Sequence, residues 1–345
     1  MIKPKRLEKG DTVAIVSLSS GMGGEKEFFH RYLLGKKRLE EFGLNVITMP
    51  NALKGIEYLK IHPEKRAEDL MNAFKDKKIK GIFSMIGGDD TIRLLPFIDF
   101  DVIKSNPKVF MGYSDTTVNH FMMSKAGLVS YYGPSILCEF AENGKMHDYT
   151  KKYVQEVLFE NKENISIISS ETWTNERIDW TVEENDFIER KMNKENHGYE
   201  ILQGEGYFEG GLIGGCVDVF INIIGTKLWP DNDYWNNIIL FLETSEEKIS
   251  PQNLTYILRN LAAQGIFDKI SGIIFGKPKD ETYYEEYKEV LKNVIGTENK
   301  KYNLPILYNV NFGHTVPMCI LPIGIKVRVD LNKKEIVFLE KPMGY

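Results

Sequence analysis

A chain of 345 residues is longer than one ordinary hydrophobic core organises, so two domains are expected. With 42% hydrophobic residues it has the composition of a globular protein. A net charge of -5, with Lys and Arg scattered and no basic run, argues against a nucleic-acid polymer as partner.

The amino terminus, MIKPKRLEKGDTVAIVSLSS, begins basic, but Gly10 and Asp11 interrupt it and the apolar run VAIVSL is too short for a signal-peptide core. No segment reaches the ~18 apolar residues of a membrane span. A cytoplasmic protein without a membrane partner is the expectation. Residues 12–133 then alternate strand and helix signals. TVAIVSLSS reads as a strand leading into GMGG, and EKEFFHRYLLGKKRLEEFG as a helix stopped by glycine. NVITMP, IKGIFSMIGG, KVFMGYS and LVSYYGPS are further strands, with HPEKRAEDLMNAFKD, DDTIRLLPFID and DTTVNHFMMSKAG as the helical segments between them. Such alternation predicts a parallel sheet covered on both faces. Ligands bind such sheets at the carboxyl ends of the strands, which places SLSSGMGG, IGGDD, GYSD and YYGPS on one rim.

Across 149–206 the pattern lapses into a charged, Asn-rich segment with two tryptophans, Trp173 and Trp180, which reads as an exposed connection and long loop. The glycine-rich EGGLIGGCVDVF, the strand NIILFLET, the helix SPQNLTYILRNLAAQG and the strand ISGIIFGK then predict a second α/β domain over 207–345, the first covering 1–148. Cys138, Cys216 and Cys319 are odd in number, far apart and set in apolar sequence, so they read as buried thiols of a reducing compartment.

Ser114 lies at the strand-to-helix junction of KVFMGYSDTT, where the first amides of a following helix favour negative charge. This suits a nucleophile elbow, with Gly112 and Thr116 small enough for close packing. The pentapeptide alone favours the plainer role of capping a helix that begins at Asp115. A serine nucleophile needs a base and an orienting acid. Among six histidines His30, His120 and His147 read as surface or helix-face residues, His62 precedes a proline and His197 sits in the charged loop. His314, behind a glycine after an apolar strand, is the candidate base. Glu243 is the first charge at the end of a buried strand, where it requires a partner; Glu246 and Glu247 read as solvated. The glycines of IGGDD expose amides suited to an oxyanion or, equally, to a phosphate.

Taken in order, IGGDDTIRLLPFID, KVFMGYSDTT, YYGPS, GEGYFEGGLIGGCVDVF, IILFLETSEE and FGHTVPMCILPIG resemble the LD-carboxypeptidase family of serine peptidases over nearly the full length. The GGDD form of residues 87–90 and the tryptophan-containing loop look most like its microcin C immunity branch, which hydrolyses the amide between an aminoacyl group and a modified nucleotide. The resemblance implies a flavodoxin-like parallel-sheet domain and a C-terminal α/β domain with a small β-barrel-like sheet. It implies a triad of Ser114, His314 and Glu243, an oxyanion hole from the amides of Gly88 and Asp115, and substrate contacts from Tyr113, Asp89 and a loop tryptophan, Trp180 or else Trp173. No cofactor and no metal are called for, and a homodimer is expected. The substrate is an aminoacyl nucleotide or, second, a murein tetrapeptide; a two-domain protein that binds such a ligand without turnover is the alternative of another class.

Overall fold

A computed structural model describes residues 1–344 of the chain. The first sheet contains β1 (Thr12–Val16), β2 (Asn45–Thr48), β3 (Ile79–Ser84), β4 (Val109–Gly112) and β5 (Ser130–Tyr132), all parallel and in the spatial order 2-1-3-4-5. This is the flavodoxin-like order, whose switch point lies between β1 and β3. The central strands are mostly apolar because helices cover both faces, and every residue of β4 is buried.

The connection is more ordered than its composition suggests. A helix, Asp148–Val154, opens it, then come β6 (Ser166–Ile167) and a small hairpin of β7 (Thr172–Trp173) and β8 (Asn193–Lys194). The second sheet is built on parallel β10 (Tyr207–Cys216), β11 (Ile238–Glu243), β12 (Gly272–Gly276) and β13 (Ile306–Val310). It is extended antiparallel on one side by β15 (Lys326–Asp330), β16 (Glu335–Phe338) and β6, and on the other by β9 (Glu200–Gln203), giving eight strands. The chain crosses the expected divisions, because β14 (Leu321–Ile323) returns to the first sheet and pairs antiparallel with β5.

After β4 a 3-10 turn at Ser114–Thr116 precedes the α-helix Thr117–Lys125. Residues 117–123 are all buried, since the helix lies between the two sheets, and Thr117 Oγ1 accepts the Cys216 N–H at 3.0 Å. His120 is therefore not a surface residue as its neighbours suggested. It is fully buried, with Nε2 2.9 Å from the Gly112 carbonyl oxygen and Nδ1 2.8 Å from Ser130 Oγ, and burial lowers its pKa to about 4. A carbonyl can only accept, so the ring is neutral with Nε2 protonated. Cys216 and Cys319 are buried and Cys138 partly so; none is in a disulfide. No helix among the described residues is long and apolar enough to cross a membrane.

Candidate active site

Ser114 sits at the carboxyl end of β4 with φ 63°, in the left-handed region that a side chain disfavours. Two glycines make room for the turn. A Cβ on Gly112 would lie 2.8 Å from Ser84 Cβ and Thr116 Cγ2, and one on Gly87 would lie 2.6 Å from Ser114 Cβ. The serine hydroxyl caps neither the 3-10 turn nor the helix after it, so the capping role is not the one it fills. The Asp115 carboxylate turns inward and accepts from Ser19 Oγ at 2.7 Å and from the Thr91 N–H at 2.9 Å. Gly88, whose Cβ would meet Ser19 Oγ at 2.3 Å, packs against that same serine. Ser19 thus ties the IGGDD turn to the GYSD turn and brings both sets of amides to one rim. Asp89 is exposed on an adjoining groove, whereas Asp90 is engaged by Arg66 at 2.6 Å and Arg93 at 2.9 Å.

Across the rim, β11 delivers Glu243 at its last residue, fully buried. The approach of the 313–314 turn requires glycine: a Cβ on Gly313, φ 78°, would fall 2.3 Å from Glu243 Cγ. His314 Nδ1 lies 2.8 Å from Glu243 Oε2, and the His314 backbone N–H donates to the same oxygen at 3.2 Å. The other oxygen accepts from the Tyr132 hydroxyl, which itself accepts the Ser114 N–H at 3.3 Å. Tyr113 meets the imidazole edge-on, ring centroids 5.0 Å apart. Cys216 Sγ offers a third ligand atom within 4.8 Å of those of Glu243 and His314, but both oxygens of Glu243 are already hydrogen-bonded. Burial, with Glu243 and Asp218 nearby, also pushes the Cys216 thiol well above its ordinary pKa, which opposes the thiolate a metal would need.

Glu246 corrects the expectation that it is solvated. Its side chain is 56% exposed, yet Oε2 is 2.7 Å from His314 Nε2. Both imidazole nitrogens therefore face carboxylates. Burial opposes charge on the ring, but Glu243 and Glu246 override it and hold the pKa of His314 at about 10. The His314 hydrogen bond in turn holds Glu246 at about 2. Neither the short run SEE nor its charge could have shown which carboxylate folds back.

Ser114 and His314 open on a cavity of about 480 Å³ that Tyr113, Gly88, Trp180 and Lys279 also line. Arg31 lies over the Trp180 ring, 4.2 Å from its centroid, and is anchored by Asp186 at 2.9 Å and the Ala141 carbonyl at 2.6 Å. His30 also reaches Asp186, at 2.6 Å, so the long loop is fastened to the helix Phe29–Glu41. Lys279 is partly buried, which lowers its pKa against the pull of Asp280. Trp173 lies elsewhere: it is buried in the β7–β8 hairpin, 4.3 Å beneath the Lys277 ammonium, and lines a separate depression. Of the two loop tryptophans only Trp180 shares the cavity of Ser114.

Residues 13–133 match the LD-carboxypeptidase N-terminal domain and residues 209–329 its C-terminal domain. The chain is 30% identical to the Microcin C7 self-immunity protein MccF of Escherichia coli over 97% of its length and 95% of that protein's. It is 28% identical to a probable murein peptide carboxypeptidase of Bacillus subtilis over 97% of its own length and 93% of the relative's. A MccF-like protein from Streptococcus pneumoniae in complex with AMP superposes with a TM-score of 0.88 at 39% identity, covering 95% of this chain and 98% of that one. MccF in complex with aspartyl sulfamoyl adenosine superposes at 0.84 with 28% identity over 100% of both chains. From both family domains in order and near-complete coverage of these relatives, the chain belongs to the LD-carboxypeptidase family of serine peptidases.

Proposed function

We propose that the protein hydrolyses the amide-type bond joining an aminoacyl group to a modified nucleotide, using Ser114 as nucleophile, His314 as base and Glu243 as orienting acid. The observation that carries this reading is one cavity that Ser114 and His314 both line, with the Trp180–Arg31 pair in its wall. An indole held by a guanidinium is a stacking platform for a base. Lys279 adds positive charge suited to a phosphate or sulfamoyl group. Two similar proteins, one bound to AMP and one to aspartyl sulfamoyl adenosine, support the substrate class.

In this mechanism Ser114 Oγ attacks the acyl carbon as its proton passes to His314 Nε2. The amides of Gly88 and Asp115 hold the oxyanion. The imidazolium returns the proton to the leaving nitrogen, leaving an acyl ester on Ser114. A water deprotonated by the same imidazole then releases the acid and restores the serine. Glu243 fixes the ring with Nδ1 protonated, and Tyr132 links that carboxylate to the serine turn.

Cleavage of a murein tetrapeptide is the second reading, favoured by the similarity to the murein peptide carboxypeptidase. The two readings separate on Trp180→Ala. Stacking on an aromatic platform contributes ~1 to 3 kcal/mol per base, so kcat/KM for aspartyl sulfamoyl adenosine should fall roughly ten- to a hundred-fold while that for a murein tetrapeptide holds. Equal loss on both, or a fall in melting temperature without altered selectivity, would give the murein reading precedence.

A further inference from the structure

Ionised carboxylates only accept hydrogen bonds. An imidazole whose two nitrogens sit 2.8 Å from Glu243 and 2.7 Å from Glu246 therefore carries a proton on each, and such a ring cannot take one from a serine. The groups facing His314 are Glu243 at the end of β11, Glu246 just beyond it, Asp218 and Cys216 beyond and at the end of β10, and Tyr113 beside Ser114. Of these, Glu243 is buried with both oxygens engaged, whereas Glu246 is half-exposed and reaches His314 from the rim. Glu246 can therefore leave without disturbing the Nδ1 contact.

What would draw it away is also in place. Glu246 lines both the main cavity and an adjoining groove, and Ser114 lines both as well. In that groove Asp218 presents Oδ1 buried and without a hydrogen-bond partner among the described residues, while Oδ2 accepts the Ser245 N–H at 2.8 Å. Arg31, Arg177, Arg190 and Lys279 line the main cavity, whereas the groove sets Lys60 and Arg93, the latter paired with Asp90 at 2.9 Å, against Asp89, Asp90, Asp115, Asp218, Glu246 and Glu247 and so carries an excess of carboxylates. The α-ammonium of an aminoacyl group is separated from the scissile carbon only by Cα, so a bound substrate must place that ammonium next to Ser114.

Building on the aminoacyl-nucleotide reading, we infer that Glu246 is a specificity-determining residue that recognises the substrate's α-ammonium, with Asp218 beside it, and in leaving His314 for that ammonium frees Nε2 to act as base. The ligand class selected is acyl groups with a free ammonium on the α-carbon. An acyl group whose amine is blocked leaves the base locked. The raised pKa of His314 and the lowered one of Glu246 agree with the lock seen in the contacts. As the folded pKa of about 10 lies above the ordinary 6.5, the locked ring stays protonated through neutral pH and loses its proton only toward pH 10.

The test compares aspartyl sulfamoyl adenosine with its N-acetyl derivative on the wild type, Glu246→Gln and Glu246→Asp, with thermal melts to confirm folding. The wild type should prefer the free amine by about tenfold or more, the scale of a hydrogen bond between charged groups. Glu246→Gln should bring that ratio close to one, lowering kcat/KM for the free amine while that for the acetylated substrate holds or rises. For the acetylated substrate, the pH at which kcat/KM reaches half its plateau should fall in Glu246→Gln, and Glu246→Asp should restore part of the preference. An unchanged ratio and pH profile in Glu246→Gln, with the wild type active, would overturn the inference and leave the proposed function standing. A wild type that hydrolyses neither compound would overturn the substrate reading and the inference with it.

Discussion

Ser114 occupies the left-handed region at φ 63°, where a Cβ costs energy that glycine does not incur. The strain persists because Gly87, Gly112 and the Ser114 N–H to Tyr132 contact fix the turn from three sides. Two substitutions separate strain from chemistry. Ser114→Ala keeps the Cβ and should leave stability within ~0.5 kcal/mol of the wild type while turnover is lost. Ser114→Gly relieves the turn and should stabilise the fold by roughly 1 kcal/mol with the same loss of activity. Denaturant unfolding beside rate measurements checks both. A glycine variant less stable than the alanine variant would show that the turn is not strained.

Among the contacts that join the two sheets, the last residues of β10 pass close to the helix Thr117–Lys125. Gly215, φ 147°, has no room for a side chain: a Cβ would sit 2.5 Å from Thr117 Oγ1. The neighbouring Gly214 would place one 1.7 Å from the Phe241 carbonyl oxygen. This contact sets the distance between Ser114, just before the helix, and Glu243, whose strand pairs with β10 at Cys216. Gly215→Ala should therefore destabilise the fold by ~3 kcal/mol or more and impair turnover in whatever folded protein remains, as read by melts and kcat. A variant of wild-type stability and activity would contradict the close packing. At this scale the parallel strands of the first sheet and the rim formed by their ends were legible, because alternating strand and helix signals report burial and crossovers directly, whereas the flavodoxin-like arrangement was implied only by the family resemblance. The burial of His120 was not. Its helix carries Thr117 and His120, whose polar atoms are met by the second sheet and by neighbouring strands, and a single segment does not disclose what will cover it. Glu246 escaped for a related reason: a carboxylate on a turn is solvated unless a distant residue, here His314, comes to meet it.

The molecule as a whole is two sheets with exchanged edges. β14 leaves the second half of the chain to complete the first sheet beside β5, where buried Tyr131 and Tyr132 lie, and β6 joins the edge of the second sheet beside β16. Tyr132 then reaches from the first sheet to Glu243 in the second, so both sheets must be in place before the serine and the acid share one hydrogen-bonded chain. The division into an N-terminal and a C-terminal segment could be drawn from composition. The late return of β14 could not, because a three-residue apolar run gives no sign of which sheet it joins. In the proposed mechanism this interlocked frame presents Ser114 as a nucleophile toward an aminoacyl substrate. Intact-protein and peptide mass spectrometry on samples acid-quenched during turnover of aspartyl sulfamoyl adenosine tests it most directly. The expected result is an aspartyl adduct on the peptide that contains Ser114, absent in Ser114→Ala, which should also be inactive. Turnover with no adduct on that peptide, together with retained activity in Ser114→Ala, would contradict it.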